Sequence, residues 1–364
     1  MARNFELEAA ITANPDDDQT YLVYADWLQQ QGDPLGELIV KHARASDQTA
    51  FVTEHETDLL GPLADYEDML EPRVWRNGFL REVKVANTFD RSENHDGTKE
   101  AFPVEELLAM LLDHESGRFL RNLTIGIVTY NHNEYTACLA ELAKRRVPSL
   151  RTLFVGDFHR EETELNWSHL GEVLTFYPAV PNLQELTLRS GSMTLGQIDL
   201  PELHTFVTVT GGLKKDAIAS IASAHWPKLE RLELQIGSRG WSSDVDAADL
   251  LPLLDGDALP PTLYHLAFAN FDQTNDLVPM LASSKILRRL RNLDLSLGTL
   301  GAEGAQALIA AKSAFAHLEM LDLSECLLDP EWTARVLEAF PDAAVEDQRY
   351  DPRYPNDFYI AAGE

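Results

Sequence analysis

The residue types that could do chemistry are present in this chain, but their spacing does not assemble them. His159 and His169 flank an acidic stretch, Glu161 to Glu164, that offers nitrogen and oxygen donors for a divalent cation. That spacing matches no compact zinc or transition-metal motif, and a solvated charged loop accounts for it more simply. Asp16, Asp17 and Asp18 directly follow Pro15. A calcium loop alternates its oxygen ligands and adds a distal acid, whereas consecutive aspartates after a proline suit the exposed amides of a helix start. Cys138 lies in an apolar run, Ala137 to Ala143, where a small core residue is expected. Cys326 stands eight positions after Leu318, and neither thiol has a local nucleophile signature. A glycine-rich phosphate loop, HExxH and GxSxG are all absent from the sequence. The chain is therefore not expected to be an enzyme, with no catalytic residue, metal or cofactor. The alternative is an enzyme or metal-dependent regulator with its site in the segments near Glu161 or Trp241.

Bulk properties narrow the partners. The 364 residues carry 59 Asp and Glu against 30 Lys and Arg, a formal net charge of -29. Nucleic-acid phosphates and anionic lipid would be repelled, so a basic protein is the expected partner, and neither nucleic acid nor membrane. Two cysteines cannot build a disulfide framework. The first residues lack a basic stretch followed by an apolar one, and no run reaches 18 apolar residues. A cytoplasmic location is the expectation.

The elements that must position any site are set by a six-residue phrase, L-x-x-L-x-L. It occurs unaltered from Leu183, Leu229, Leu290 and Leu318, and in modified form from Leu80, Leu120, Leu150, Leu203 and Leu263. A unit that recurs every 20 to 40 residues cannot bury its apolar face alone, so stacked copies must share one core. Side chains alternate across a strand, so the apolar residues at positions four and six face that core. Those at positions three, five and seven face the other way. Asn87–Pro103, Asp157–His169 and Gly237–Asp249 interrupt the spacing and read as insertions.

Residues before the phrases read differently. Phe5, Leu7, Ala10 and Ile11 have helical spacing, a second helix runs through Tyr21, Leu22, Ala25 and Leu28 to Gly32, and a third follows through Leu38, Ile39 and His42. The strings LEAAI (7–11), PDDD (15–18), LVYADWL (22–28) and GDP (32–34) with Gly36-Glu37 resemble the repeat-companion domain, a short module that precedes leucine-rich repeats in planctomycetes and myxobacteria. Tyr21 and His42 depart from its usual Arg and Gln. That resemblance implies association with repeats and no particular activity. A second resemblance covers about 200 residues: LRTLFVGDF (150–158), TGGL (210–213), LERLEL (229–234) with IGSRGW (236–241), DVDAADLLPLL (244–254), LDLSLGTLGAEGAQAL (293–308) and FYIAAGE (358–364) resemble an uncharacterised bacterial leucine-rich-repeat family. The stretch from Leu290 resembles a ribonuclease-inhibitor-type repeat of 28 residues, the distance to Leu318.

The expected architecture is therefore α/β: a helical module over 1–60, an irregular leucine-rich-repeat solenoid over 61–345, and a capping tail over 346–364. Its expected function is a non-enzymatic scaffold that binds a protein through the concave face or the inserted loops. Candidate contacts on that face are Phe154, Glu185, Arg189, Arg231, Glu233, His265, Asn292, Asp294 and Asp322. Arginine and aromatic residues dominate binding hot spots, so Phe154, Arg189 and Arg231 are the expected anchors.

Overall fold

The computed structural model describes residues 3–88, 102–130, 132–353 and 360–361. It divides into two compact units: Met1–Tyr130 with Ala137–Asp157 and Pro178–Leu183, and Asn131–Thr136 with Phe158–Tyr177 and Gln184–Glu364.

The first unit opens with four helices, α1 (Phe5–Ala13), α2 (Asp18–Gln30), α3 (Leu35–Arg44) and α4 (Gln48–Leu60). Each start is fixed locally: the side chains of Asn4, Asp17 and Asp47 accept backbone N–H groups of α1, α2 and α4, and Pro34 leads into α3. The three aspartates divide their work. Asp17 caps α2, Asp16 receives Arg81 at 2.9 Å, and Asp18 receives Arg76 and Asn77 at 2.9 and 2.8 Å. Ile11, Tyr21, Tyr24, Leu28 and Ile39 share a buried core with Phe79 and Phe119. Strands β1 (Arg73–Arg76) and β2 (Phe79–Val85) form an antiparallel hairpin, with Arg76 opposite Phe79. The two residues between them, Asn77 and Gly78, have φ of 48° and 82°, the left-handed pair that a tight right-twisted hairpin requires. Gly78 also meets α3 closely: a Cβ there would lie 3.2 Å from Ile39 Cγ1. From β2 onward pairing is parallel, through β3 (Asn122–Gly126) to β5 (Thr152–Asp157), while α5 (Val104–Asp113) and α6 (Thr136–Ala143) supply the crossovers. A short β4 (Asn133–Glu134) belongs to the second unit.

The second unit is a leucine-rich-repeat solenoid. Its main sheet runs in the order β7 (Glu185–Arg189), β9 (Thr205–Val209), β10 (Arg231–Gly237), β11 (His265–Phe271), β12 (Asn292–Asp294) and β13 (Met320–Asp322), all parallel. Within each unit, every leucine phrase lands on one strand of the parallel array with its fourth positions in register, as in Leu123↔Leu153 of the first and Leu186↔Phe206, Leu232↔Leu266 and Leu293↔Leu321 of the second. A second sheet of three short strands, β4, β6 (Ser168–Glu172) and β8 (Ser192–Thr194), lies where the expected insertion at Asp157–His169 ends. The insertion at Gly237–Asp249 forms two short 3-10 turns with a reciprocal capping box between Asp246 and Asp249. Residues 89–101 of the third expected insertion lie outside the described residues. Helices α7 (Lys215–Ala222), α8 (Leu251–Leu254), α9 (Thr274–Ser283), α10 (Ala302–Ala310), α11 (Lys312–Phe315) and α12 (Pro330–Ala339) fill the return segments.

Turn chemistry repeats along this unit. Cys326 donates from Sγ to Leu295 O of the preceding repeat at 3.3 Å, and burial pushes its thiol up to about 12. In the repeat from Leu229 the same position is Gly237, where a Cβ would sit 1.7 Å from Gly211 O. Only glycine lets those backbones meet, and Ser238 N then donates to Gly211 O at 3.1 Å. The last strand is covered by the chain that follows α12. Leu323 N donates to Ala344 O, Ala344 N to Leu321 O and Arg349 N to Cys326 O. The Arg349 guanidinium reaches Leu297 O and Gly298 O at 3.1 and 2.7 Å. Residues 354–359 and 362–364 of the expected capping tail lie outside the described residues.

Candidate interaction face

Strand register places the candidate residues of the second unit in rows. The first row runs Glu185–Thr205–Arg231–His265–Asn292–Met320, and the second Thr187–Val207–Glu233–Ala267–Asp294–Asp322. Further along, Arg189 stands beside Val209 and Gln235 beside Ala269. Eight of the nine candidates thus share one sheet face. Phe154 belongs to the first unit, half-buried on β5 beside Thr124 of β3.

The chemistry along the rows is uneven. At β10 the Arg231 Nε donates to Glu233 Oε1 at 2.5 Å, and His265 Nε2 lies 3.0 Å from the same oxygen. Burial alone would raise the Glu233 pKa, but His265 and Arg231 outweigh it and hold this carboxyl below the usual range. Arg231 stays half exposed, whereas the His265 side chain is nearly buried. On β11 the outward positions carry Ala267 and Ala269, which larger neighbours shade to 1% and 6% exposure. The expected strand alternation gives way there because a methyl cannot rise above flanking carboxylate and amide side chains.

At the other end the two aspartates have a local task. Asp294 accepts the N–H of Ser296 and Asp322 that of Ser324, each at 2.8 Å, so both close the turn after their own strand. They stand opposite one another in register. Burial, and after it the charges of Asp322 and Glu233, raise Asp294 above the usual carboxylate range despite its bonds to Ser296. Arg189 is tied down as well: its guanidinium lies 4.6 Å from the Phe158 ring centroid and donates to Phe158 O at 2.5 Å.

Two groups escaped the sequence reading. Tyr264 immediately precedes His265 and leaves 38% of its surface exposed, a hot-spot residue type in an altered copy of the phrase. His42 is fully buried in α3 and accepts the Gly78 N–H on Nδ1 at 2.8 Å. The Asn77-Gly78 dipeptide was the available signal for that hairpin.

The suspected metal positions are differently engaged. Glu162 accepts the His159 backbone N–H at 2.7 Å, and His169 Nδ1 meets Ser192 Oγ at 2.7 Å. Near Trp241, hydrogen bonds from Gln273 and Arg239 pull Asp246 down to about 2, and Lys215 pairs with Asp249 at 2.9 Å. Among the described residues no group of three or more His, Cys, Asp or Glu could hold a metal ion. Among the same residues no helix is long and apolar enough to cross a membrane.

No protein-family model and no curated protein matches this chain. Among solved structures it is similar to a Bacteroides fragilis protein determined as a structural-genomics target. That match has 21% identity and a TM-score of 0.66 over 87% of each chain, a likeness of fold. An internalin from Listeria monocytogenes also matches, at 13% identity and a TM-score of 0.32, over 80% of this chain and 95% of the other.

Proposed function

We propose that this protein is a non-enzymatic scaffold that binds a basic protein partner through the sheet face of β7 to β13. The register carries this reading: it sets Glu233, Asp294 and Asp322 in one row, with Arg231, His265 and Asn292 in the next. Such a face offers polar and charged contacts over a long, regular surface. Acidic groups around the alanine floor of β11 leave room for Lys and Arg side chains, and the net charge of -29 would speed their approach. The likeness of residues 5–44 to a repeat-companion module fits the same role, since such modules accompany repeat arrays. A cytoplasmic location belongs to this proposal. The test is affinity capture from native lysate at low and high salt, with wild type beside Glu233→Lys. A stoichiometric basic protein that salt releases and Glu233→Lys fails to hold is the expected result. Equal capture by both chains would remove the face from the proposal.

A further inference from the structure

The first unit holds a second site with different chemistry. A cleft of about 310 Å³ opens between α4 and the strand β1. Val52, Thr53 and Glu56 line it from the helix, and Glu71, Val74 and Trp75 from the strand side. His42 is also part of its lining. Because Nδ1 accepts from Gly78 N–H, the ring proton must sit on Nε2, and burial keeps the imidazole neutral by lowering its pKa. That Nε2 is buried and has no hydrogen-bond partner in the structure. A buried donor left unsatisfied has lost its water without replacement, so such groups ordinarily have an acceptor. Stacking on Phe51, with ring centroids 5.3 Å apart, fixes the plane of the imidazole.

The strand beside the cleft is equally unfinished. Among the described residues β1 pairs with β2 alone, and its Val74 is 46% exposed. A one-sided strand offers a row of backbone groups to an incoming chain. Charge sets the complement: Glu56 and Glu71 both meet Arg73, at 2.6 and 3.0 Å, which leaves two carboxylates against one guanidinium.

We propose that this cleft takes an extended basic peptide segment of a partner protein, laid along the open edge of β1, with a peptide carbonyl accepting from His42 Nε2–H. Its lysine or arginine side chains face Glu56 and Glu71, and its backbone pairs with the strand. The site is independent of the sheet face proposed above.

The test uses the full chain labelled with ¹⁵N-histidine, in 0.15 M salt, with the blocked peptide acetyl-Lys-Val-Lys-Val-Lys-amide as probe. The His42 ring signals should shift saturably. The same peptide carrying N-methyl groups on alternate amides has equal charge and should bind at least about tenfold more weakly, since it cannot pair with the strand. Thr53→Trp, an exposed position on the rim, should remove the shift by filling the cleft. His42→Phe keeps the ring stack but removes the reporter, so its binding is read by isothermal titration calorimetry beside wild type and should weaken roughly five- to tenfold, the worth of one hydrogen bond. If that variant does not fold, Thr53→Trp decides alone. An unmoved His42 signal at millimolar peptide would overturn the proposal, since water then satisfies the donor. Equal binding of the N-methylated peptide would reduce it to charge attraction, and equal saturation by acetyl-lysine-amide would make the cleft a small-molecule site; either also overturns it.

Discussion

The helical start of the first unit and the repeats of the second are held together by different means. In the helices, an ionised group is buried and satisfied by one local arginine together with residues far away in sequence. Glu8, 6% exposed, receives Arg3 and the Tyr24 hydroxyl, the latter at 3.0 Å, and Arg118 lies 3.5 Å away while donating to that same hydroxyl. In the repeats, aliphatic side chains fill the core and turns are closed by residues of the same or adjacent copy, as Asp294, Asp322 and Cys326 show. A repeated unit needs only its neighbour, so its stabilising contacts recur at a fixed period. The helices have no such neighbour and depend on a few specific long-range pairs.

The contrast can be broken at several points. Arg118→Met should cost the most, about 3–5 kcal/mol in chemical denaturation, because Glu8 keeps Arg3 as its one guanidinium while the largely buried Glu115 carboxylate and the Tyr24 hydroxyl lose theirs. Burial raises the Glu8 pKa, but its hydrogen bonds to Arg3 and the nearby charge of Arg118 win and hold it below the ordinary glutamate value of 4.5. The folded state therefore gains stability from Glu8 above that pH and loses it as the pH falls through the lowered value. Glu8→Gln should remove that acid-side dependence, and a pH series of melting curves measures it. Next comes Leu293→Ala in the fully buried row of the repeats, expected to cost about 2–4 kcal/mol with no such pH signature. If both substitutions gave the same pH profile, the distinction between the two regions would collapse.

Smaller effects sharpen it within the candidate face. Arg189→Glu should lower stability by about 1–2 kcal/mol, since it loses the Phe158 ring and carbonyl together. Arg231→Gln, at a half-exposed site, should cost about 0.5–1 kcal/mol in the same denaturation experiment, since it gives up one partly screened pair with Glu233. Hence Arg231 and not Arg189 is the clean probe of binding, although both have the residue type of an anchor. A loss of stability at Arg231 equal to that at Arg189 would show that the two arginines serve the fold alike.

These particulars mark what the sequence could carry. Nine leucine phrases were legible as nine parallel strands because strand period and repeat period are both local properties. The same local logic foresaw Asp17 at a helix start. It could not foresee that Asp16 and Asp18 would meet Arg81 and Arg76, about 60 residues away, because no period connects them. Nor could it tell that Asp294 and Asp322 bond their own turns while Arg231, two strands over, remains exposed. Position in the phrase gives the face of a side chain, and only the fold gives its partners. His42 was invisible for that reason: a lone histidine in a helical pattern reads as core until the hairpin turn supplies the bond that fixes its proton.

The strip from Ala344 to Arg349 occupies the outer edge of β13, where a further repeat would otherwise add. Copies gained by duplication at that end would have to displace a half-buried arginine that holds the carbonyls of Leu297, Gly298 and Glu325. Copies gained between existing strands meet no such obstacle. Growth of this lineage of sequences should therefore show as extra phrases in the interior, with the terminal strip inherited intact.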